Sequence, residues 1–406
     1  MSRPGGLRIV VGACFVALAA VAASAHADSR FDARGEEIVA LVRDNFVDAA
    51  RAEAWAAKHR GYAAAVRDEA GFAARTNEIL AELATSHTAF YPHGSASHPL
   101  LSAVFQDGLK SKPTYASLGI DLAKTPNGVF VQRVFPGGAG EAAGLLRGDR
   151  LVTVDGKPSD PSLSLAVRAG RAVRLEVQRA PQQPAIELRA TPMLINPKQE
   201  WLAMQRTGSR IVERDGARVG YHPMFSCAGA EHEAALRDAL AGDLAGAEAL
   251  VLDFRDGWGG CNANLVDVFS PVAPTVTSAG RGGKRSTMLG AWRKPVVLLV
   301  NAGSRSGKEV VAFVLKQHRL ATLVGARTAG AVMTGRVFPL SDGSLLYLAV
   351  ADVLVDGQRL EGVGVAPDIE VADALEYAHG RDPQLERALA IAAHDARARA
   401  APKEQK

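Results

Sequence analysis

The stretch PVVLLVNAGSRSGKE, residues 295–309, is the part of the chain whose reading decides the fold. Pro295 to Val300 is an apolar run rich in Val and Leu, and Val296 to Asn301 reads as a buried strand. Glu309 to Gln317 repeats apolar residues at helical spacing. Between them lies a short turn with Gly303 and Gly307. A buried strand passing through a tight turn into a helix is the repeating unit of an α/β sheet. Ser306 sits at the start of that helix, where unpaired N–H groups and the helix dipole favour developing negative charge. A nucleophilic serine is displayed in such a place. The segment Ser306-Gly-Lys-Glu309 fits a capping box equally well, with serine as N-cap and glutamate at N3. Ser304 and Lys308 occupy the glycine positions of G-x-S-x-G, so an α/β-hydrolase is not indicated.

Outward from this turn, strands and helices alternate between about Arg210 and Val371. Arg218–Tyr221, Leu250–Phe254, Ala321–Val324, Leu345–Val350 and Val353–Val355 read as strands, and Glu231–Leu240 as a helix. Ala374 to about Arg399 reads as a helical tail interrupted between Gly380 and Pro383. Upstream, Asp28 to about Ala84 reads as two or three helices, with Ile38, Leu41, Val42 and Phe46 on one face and Phe72, Ile79, Leu80 and Leu83 on another. From Thr114 the pattern turns to short strands and glycine turns. The glycine-rich basic run Gly280–Arg285 has no Walker spacing and reads as a surface loop.

The 406 residues suffice for two or three domains, and a net charge of +4 makes no case for nucleic-acid binding. Arg3 and Arg8, the apolar run Ile9–Ala23 and Ala25-His-Ala27 form the pattern of a cleaved export signal, with the mature chain starting near Asp28. The alternative is an uncleaved anchor. The expectation is an exported protein, periplasmic or secreted, with no integral membrane domain after cleavage. Outside the leader stand Cys227 and Cys261, which in an oxidising compartment are either one disulfide or two buried thiols. No metal site is expected: His232-Glu233 opens like H-E-x-x-H, but Leu236 stands at the second histidine position.

Residues 113–195 resemble a PDZ domain. The resemblance rests on the loop Ser117-Leu-Gly-Ile120, on Glu141-Ala-Ala-Gly-Leu145 before Gly148-Asp149, and on the strand ending in Asp155-Gly156. It implies that Leu118, Gly119 and Ile120 receive an extended chain terminus by strand addition.

The mature chain as a whole resembles the C-terminal processing protease family in the broad sense, which includes tricorn-type proteases and interphotoreceptor retinoid-binding proteins. Four segments carry this: Ser86-His-Thr88; Val251-Leu-Asp-Phe-Arg-Asp-Gly-Trp-Gly-Gly260, like a strand followed by D-L-R-x-N-x-G-G; the turn at Ser306, like S-x-S-A-x-E; and Val324–Gly330 with Leu360-Glu-Gly-Val-Gly-Val-Ala-Pro-Asp368. Members with a Ser-Lys dyad carry lysine immediately after the glycine of the last block. Here that residue is Ala331, and no lysine occurs between Lys316 and Lys403. The tricorn-type branch lacks that lysine and uses a histidine before the PDZ domain and a glutamate before G-V-x-P-D.

The resemblance therefore implies Ser306 as nucleophile, His87 as general acid–base, Glu361 as its orienting carboxylate with Asp356 and Asp368 as rivals, and Ser86 beside the histidine. It further implies an oxyanion hole from Gly307 N–H and one of Gly259 or Gly260. Gly257 stands where the family has Asn, and Lys308 is expected to be solvated on the first helical turn.

The implied architecture is a multidomain α/β protein: a leader (1–27), an N-terminal helical region carrying His87 (28–112), a PDZ-like β-rich domain (113–195), an α/β ClpP/crotonase-like protease core (205–372), and a helix and tail (373–406). The implied activity is a cofactor-free serine endopeptidase acting on unfolded or C-terminally recognised polypeptides. The competing class is a non-catalytic PDZ-containing binder of peptides or hydrophobic ligands. Oligomeric state is not legible.

Overall fold

The computed structural model describes residues 14–160, 168–270, 272, 274, 276–288 and 291–400. The chain divides into two compact units, residues 1–94 with 334–352 and residues 95–333 with 353–406. The leader and the tail lie partly outside the described residues, and Pro402 to Lys406 wholly so. Among the described residues no helix is long and apolar enough to cross a membrane.

The first unit holds helices Cys14–Asn45, Ala49–His59 and Glu69–Ala81. Asp48 and Asp68 cap the second and third, accepting from the N–H of Arg51 and Gly71. Phe31, Ile38, Val42, Phe72, Ile79, Leu80 and Leu83 are buried, with Phe72 packed edge-on against Phe90 at 5.5 Å. In sequence, Leu345–Val350 reads as one more strand of the 205–372 block. In the structure, Leu345–Ala351 instead pairs antiparallel with Ala89–Tyr91 and with Thr334–Pro339, in a three-stranded sheet of the first unit. Local pattern marks a strand but does not choose its partner, and the partner Ala89–Tyr91 lies far away along the chain, with Phe90 opposite Leu346.

The second unit carries two six-stranded sheets. One is the sheet of the PDZ-like region, ordered Ile120–Thr125, Gly128–Val134, Arg150–Val154, Val173–Gln178, Ile186–Ala190, with Lys157–Pro158 added on Arg150–Val154. The other runs Arg210–Arg214, Ala217–Pro223, Ala249–Asp253, Val296–Val300, Thr322–Gly325, Ile369–Glu370, parallel after its first pair.

Alternate residues of the two central strands, Ala249–Asp253 and Val296–Val300, explain why these are apolar from Ala249 to Leu252 and from Val296 to Val300. Leu250, Leu252, Leu298 and Val300 pack with Leu236 and Leu240 of helix Ala230–Ala241 and with Val311 and Leu315 of helix Gly307–Gln317. Val251, Val297 and Leu299 pack on the opposite face with Ala388, Ala392 and Ala393 of helix Pro383–Ala400. A parallel sheet covered on both faces needs apolar side chains at every position.

The tail helix is shorter than the sequence pattern suggests, starting only at Pro383. Asp382 accepts from Leu385 N–H there, while Tyr377, His379 and Gly380 have positive φ and break any earlier turn. Gly280–Arg285 is exposed and closes a hairpin between Val276–Ala279 and Arg285–Met288.

A buried polar chain crosses the second unit. His222 and His232 are fully buried, bridged by Gln205, whose amide nitrogen reaches His222 Nε2 at 2.9 Å and whose oxygen faces His232 Nδ1 at 2.7 Å. His222 Nδ1 meets the Ser209 hydroxyl at 2.8 Å. Because the amide nitrogen can only donate, His222 Nε2 accepts and that imidazole is neutral, while His232 Nδ1 donates to the amide oxygen. Burial lowers His222 to about 3, with His232 adding to the shift, and burial likewise lowers His232 to about 4. The unfolded chain, with imidazoles near 6.5, binds more protons than the folded one throughout that interval. Stability is therefore full above about pH 6.5 and falls as pH drops towards 4, by about 1 kcal/mol per pH unit per histidine. Urea unfolding at pH 7 and pH 5 should differ accordingly; equal free energies at both pH values would contradict the buried neutral pair.

Candidate active site

Val296–Val300 ends in a turn held by its own side chains. The Ser304 hydroxyl receives Asn301 N–H at 3.0 Å and donates to Phe254 O at 3.0 Å. Asn301 Oδ1 accepts from the N–H groups of Gly303 and Asp256, both at 3.0 Å, and its Nδ2 donates to the Asp256 carboxylate at 2.7 Å. This buried asparagine thus joins the turn to the loop that follows Ala249–Asp253. Gln132 of the PDZ-like sheet donates to the same carboxylate at 2.7 Å. The sequence reading missed Asn301, Ser304 and Asp256; their one visible signal is a set of polar residues shortly after the apolar runs Ala249–Leu252 and Val296–Val300.

Ser306 has φ 59° and ψ −133° and makes no side-chain capping bond to the helix Gly307–Gln317. The capping-box expectation is therefore corrected. Glu309 is fully buried and its carboxylate accepts from Thr328 Oγ1 and from Gly330 and Ala331 N–H, both at 2.7 Å. Burial raises its pKa, opposed first by the Thr328 hydroxyl and then by those N–H groups. The Ser306 backbone is the mirror image of an extended conformation, one that only glycine visits without strain. It persists because Ser306 N–H donates to Ala331 O at 2.8 Å and Glu309 N–H donates to Ser306 O at 2.8 Å. Ala331, the position where Ser-Lys members carry lysine, thus lies against the nucleophile candidate through its backbone.

Around Ser306 the glycines are sterically required. A Cβ on Gly259 would lie 2.6 Å from Ser306 Cβ, and one on Gly307 would lie 2.3 Å from Cys261 O. A Cβ on Gly257 would strike Phe225 O at 2.1 Å, and Gly257 has φ 68°. That close approach accounts for glycine at the position where the resembled motif has Asn. A Cβ on Gly260, φ 89°, would lie 2.8 Å from Ala228 Cα. Residues 225–228 run beside this loop: Trp258 N–H donates to Phe225 O at 2.8 Å, and Cys227 N–H donates to Gly259 O at 3.1 Å. Cys227 and Cys261 are joined by a disulfide across 34 positions, closing the two segments at one end. A cavity of about 280 Å³ opens beside Gly260 and Cys261, lined also by Met224, Ala230, Glu233 and Leu265.

Lys308 is not solvated. It is fully buried, and its Nζ donates to Asp256 O at 2.7 Å and to Phe225 O at 3.0 Å. Beneath the loop, Asp253 and Arg255 form a buried pair that extends to Asp382. Burial opposes the charge on Asp253, but Arg255 and Arg133 overcome it and hold the carboxyl well below the usual range.

Glu361 belongs to the same unit. Its Oε2 accepts from Val332 N–H at 2.7 Å and Met333 N–H at 3.1 Å, on the segment whose Ala331 carbonyl receives Ser306 N–H. Asp368, one of its rivals, instead accepts from Leu323 N–H at 2.9 Å and pairs with Lys316. His87 and Ser86 belong to the first unit. There the Ser86 hydroxyl and His87 Nδ1 are 2.7 Å apart, His87 has φ 59°, and its ring lies 5.2 Å from that of Tyr347.

Just before Ile120–Thr125, Leu118 is buried and Gly119, φ 68°, donates its N–H to Ser117 Oγ at 2.9 Å. Ile120–Thr125 lies at the edge of the PDZ-like sheet, where an added strand would pair.

Residues 219–371 match peptidase family S41 and residues 109–162 match the PDZ domain. Tricorn protease homolog 1 of Streptomyces coelicolor is 30% identical over 78% of this chain and 30% of its own length. The carboxyl-terminal-processing protease of Synechocystis is 27% identical over 67% of this chain and 66% of its own. The chain thus spans under a third of the length of the tricorn relatives it matches. Among solved structures, the photosystem II D1 C-terminal processing protease aligns with a TM-score of 0.52 at 23% identity, covering 90% of this chain and 98% of that one. The tricorn protease aligns with a TM-score of 0.56 at 17% identity, covering 91% and 37%. At these identities the two structures share the fold.

Proposed function

We propose that the chain is a serine endopeptidase with Ser306 as nucleophile, a reading supported by the match of residues 219–371 to peptidase family S41 and of residues 109–162 to the PDZ domain. The observation that carries this reading is the backbone of Ser306, φ 59° and ψ −133°, at the head of a helix its hydroxyl does not cap. Strain of about 1–3 kcal/mol at one residue persists where a site requires it.

In the proposed reaction the Ser306 oxygen bonds to the scissile carbonyl carbon as His87 takes the hydroxyl proton. The carbon–nitrogen bond then breaks and the same proton passes to the leaving amine. Water repeats the sequence to release the acid and restore Ser306. Gly307 N–H and an N–H of the Gly259–Gly260 segment are the proposed donors to the oxyanion. His87 Nδ1 is held by Ser86, so proton transfer is assigned to Nε2. Glu361 is the proposed orienting carboxylate, through Ser86. The cavity beside Gly260 and Cys261 suits one side chain of the substrate. The PDZ domain and the relatives named as carboxyl-terminal-processing proteases favour unfolded or C-terminally presented polypeptides as substrates.

Export to the periplasm or beyond is part of the same proposal, supported by Arg3, Arg8 and the pattern through Ala27. One experiment addresses both. Protein recovered from producing cells should begin near Asp28 by mass spectrometry, and a fluorophosphonate should modify it at Ser306 alongside cleavage of casein. An intact leader sinks the export reading; a folded protein that is neither labelled nor active would be a binding protein on this scaffold.

A further inference from the structure

Lys308 stands two residues after Ser306, on the first turn of the same helix, and its burial is not used by the reaction above. A fully buried lysine is costly unless its donors are satisfied. Its Nζ is satisfied by two main-chain carbonyls, Asp256 O at 2.7 Å and Phe225 O at 3.0 Å, with the Phe254 ring centroid 6.0 Å away. These carbonyls belong to the two segments that flank the glycine loop. Phe225 O also receives Trp258 N–H at 2.8 Å. Asp256 and Gly257 have φ of 59° and 68°, which turns the Asp256 carbonyl out of the run of the strand before it. At the far end of the same two segments Cys227 N–H holds Gly259 O, and the disulfide closes them.

We propose that Lys308 is a positioning residue for the oxyanion loop, bridging the carbonyls of Phe225 and Asp256 so that the helix presenting Ser306 and the loop presenting Gly259 and Gly260 are set by one side chain. This rests on the reading of Ser306 as the nucleophile. Gly259 abuts Ser306 so closely that a Cβ there would lie 3.2 Å from Ser306 Oγ, so a small shift of the loop misplaces its N–H groups relative to that hydroxyl. Burial lowers Lys308 to about 7; Asp256 and Asp253 oppose the shift, whereas Arg133 and Arg305 add to it. Neutral or charged, the amine retains enough N–H bonds for both carbonyls, so the bridge depends on donor geometry rather than on charge.

The test is Lys308→Met, which keeps the length and apolar stem but no donor, together with Lys308→Gln, which keeps one donor. Fluorophosphonate labelling of Ser306 and casein hydrolysis are measured for both. Loss of one oxyanion donor costs about 10²–10³ in kcat, and a displaced donor less. The expected result for Lys308→Met is a 10- to 100-fold fall in kcat and in the maximal labelling rate, with KM within about twofold, and partial recovery in Lys308→Gln. A general loss of structure would raise KM and lower the folded fraction as well. Wild-type rates in a folded Lys308→Met overturn the proposal, as does failure of both variants to fold, which would make Lys308 a structural residue only. If the wild-type protein itself neither labels nor cleaves, it is the nucleophile assignment that falls.

Discussion

Ser306→Ala should lose about 10³- to 10⁶-fold in peptide cleavage while keeping its fold, because the attacking oxygen is gone and only binding and oxyanion donors remain. Circular dichroism and the thermal midpoint should match the parent, since the methyl group occupies the same space. Ser306→Gly should be equally inactive but more stable. At φ 59° and ψ −133° a Cβ is strained, and glycine releases that strain. A gain of about 1 kcal/mol is expected, read as a higher urea midpoint at unchanged slope. A loss of stability in Ser306→Gly would show that the backbone there is not under strain, and retained cleavage in Ser306→Ala would remove the serine from the mechanism.

Gly307→Ala is the second large effect. The added methyl would lie 2.3 Å from Cys261 O and 2.7 Å from Cys261 N, and both are main-chain atoms of a disulfide-bonded residue. Neither side has a flexible end to swing away, so the head of the helix must shift. Stability should fall by about 1–3 kcal/mol, as for other overpacked sites. The N–H of residue 307 is also the proposed first oxyanion donor, and its displacement should lower kcat by about 10²–10³. Comparing kcat at equal folded fraction separates the two effects. A folded Gly307→Ala with parental kcat would place the oxyanion hole elsewhere.

Much of the site was legible because chemistry and spacing are local. The apolar run Pro295–Val300 followed by glycines and the helical repeat Glu309–Gln317 marked the strand, the turn and the helix, and the structure has them as Val296–Val300 and Gly307–Gln317. Leu250–Phe254 before a glycine cluster was equally plain and lies beside it, Leu250 opposite Val296. The PDZ strands followed from their glycine turns. What misled was reading single residues by their neighbours in sequence. Ser306-Gly-Lys-Glu309 satisfies a capping box on paper, yet Glu309 is drawn to Thr328, Gly330 and Ala331, and Lys308 faces inward to two carbonyls. Gly257 looked like a lost asparagine, whereas Phe225 O leaves room only for glycine.

The sequence by itself determined the α/β and PDZ organisation, the strand-to-helix turn at Ser306 and the exclusion of a lysine after Gly330, because each depends on residue type within a few positions of the chain. Only the tertiary structure decided the Ser306 backbone, the burial of Lys308, the steric need for Gly257, Gly259 and Gly307, and the membership of Leu345–Ala351 in the first unit's sheet. Those depend on which distant main-chain atoms approach within a van der Waals radius or a hydrogen bond, and long-range approach leaves no periodic mark in the sequence.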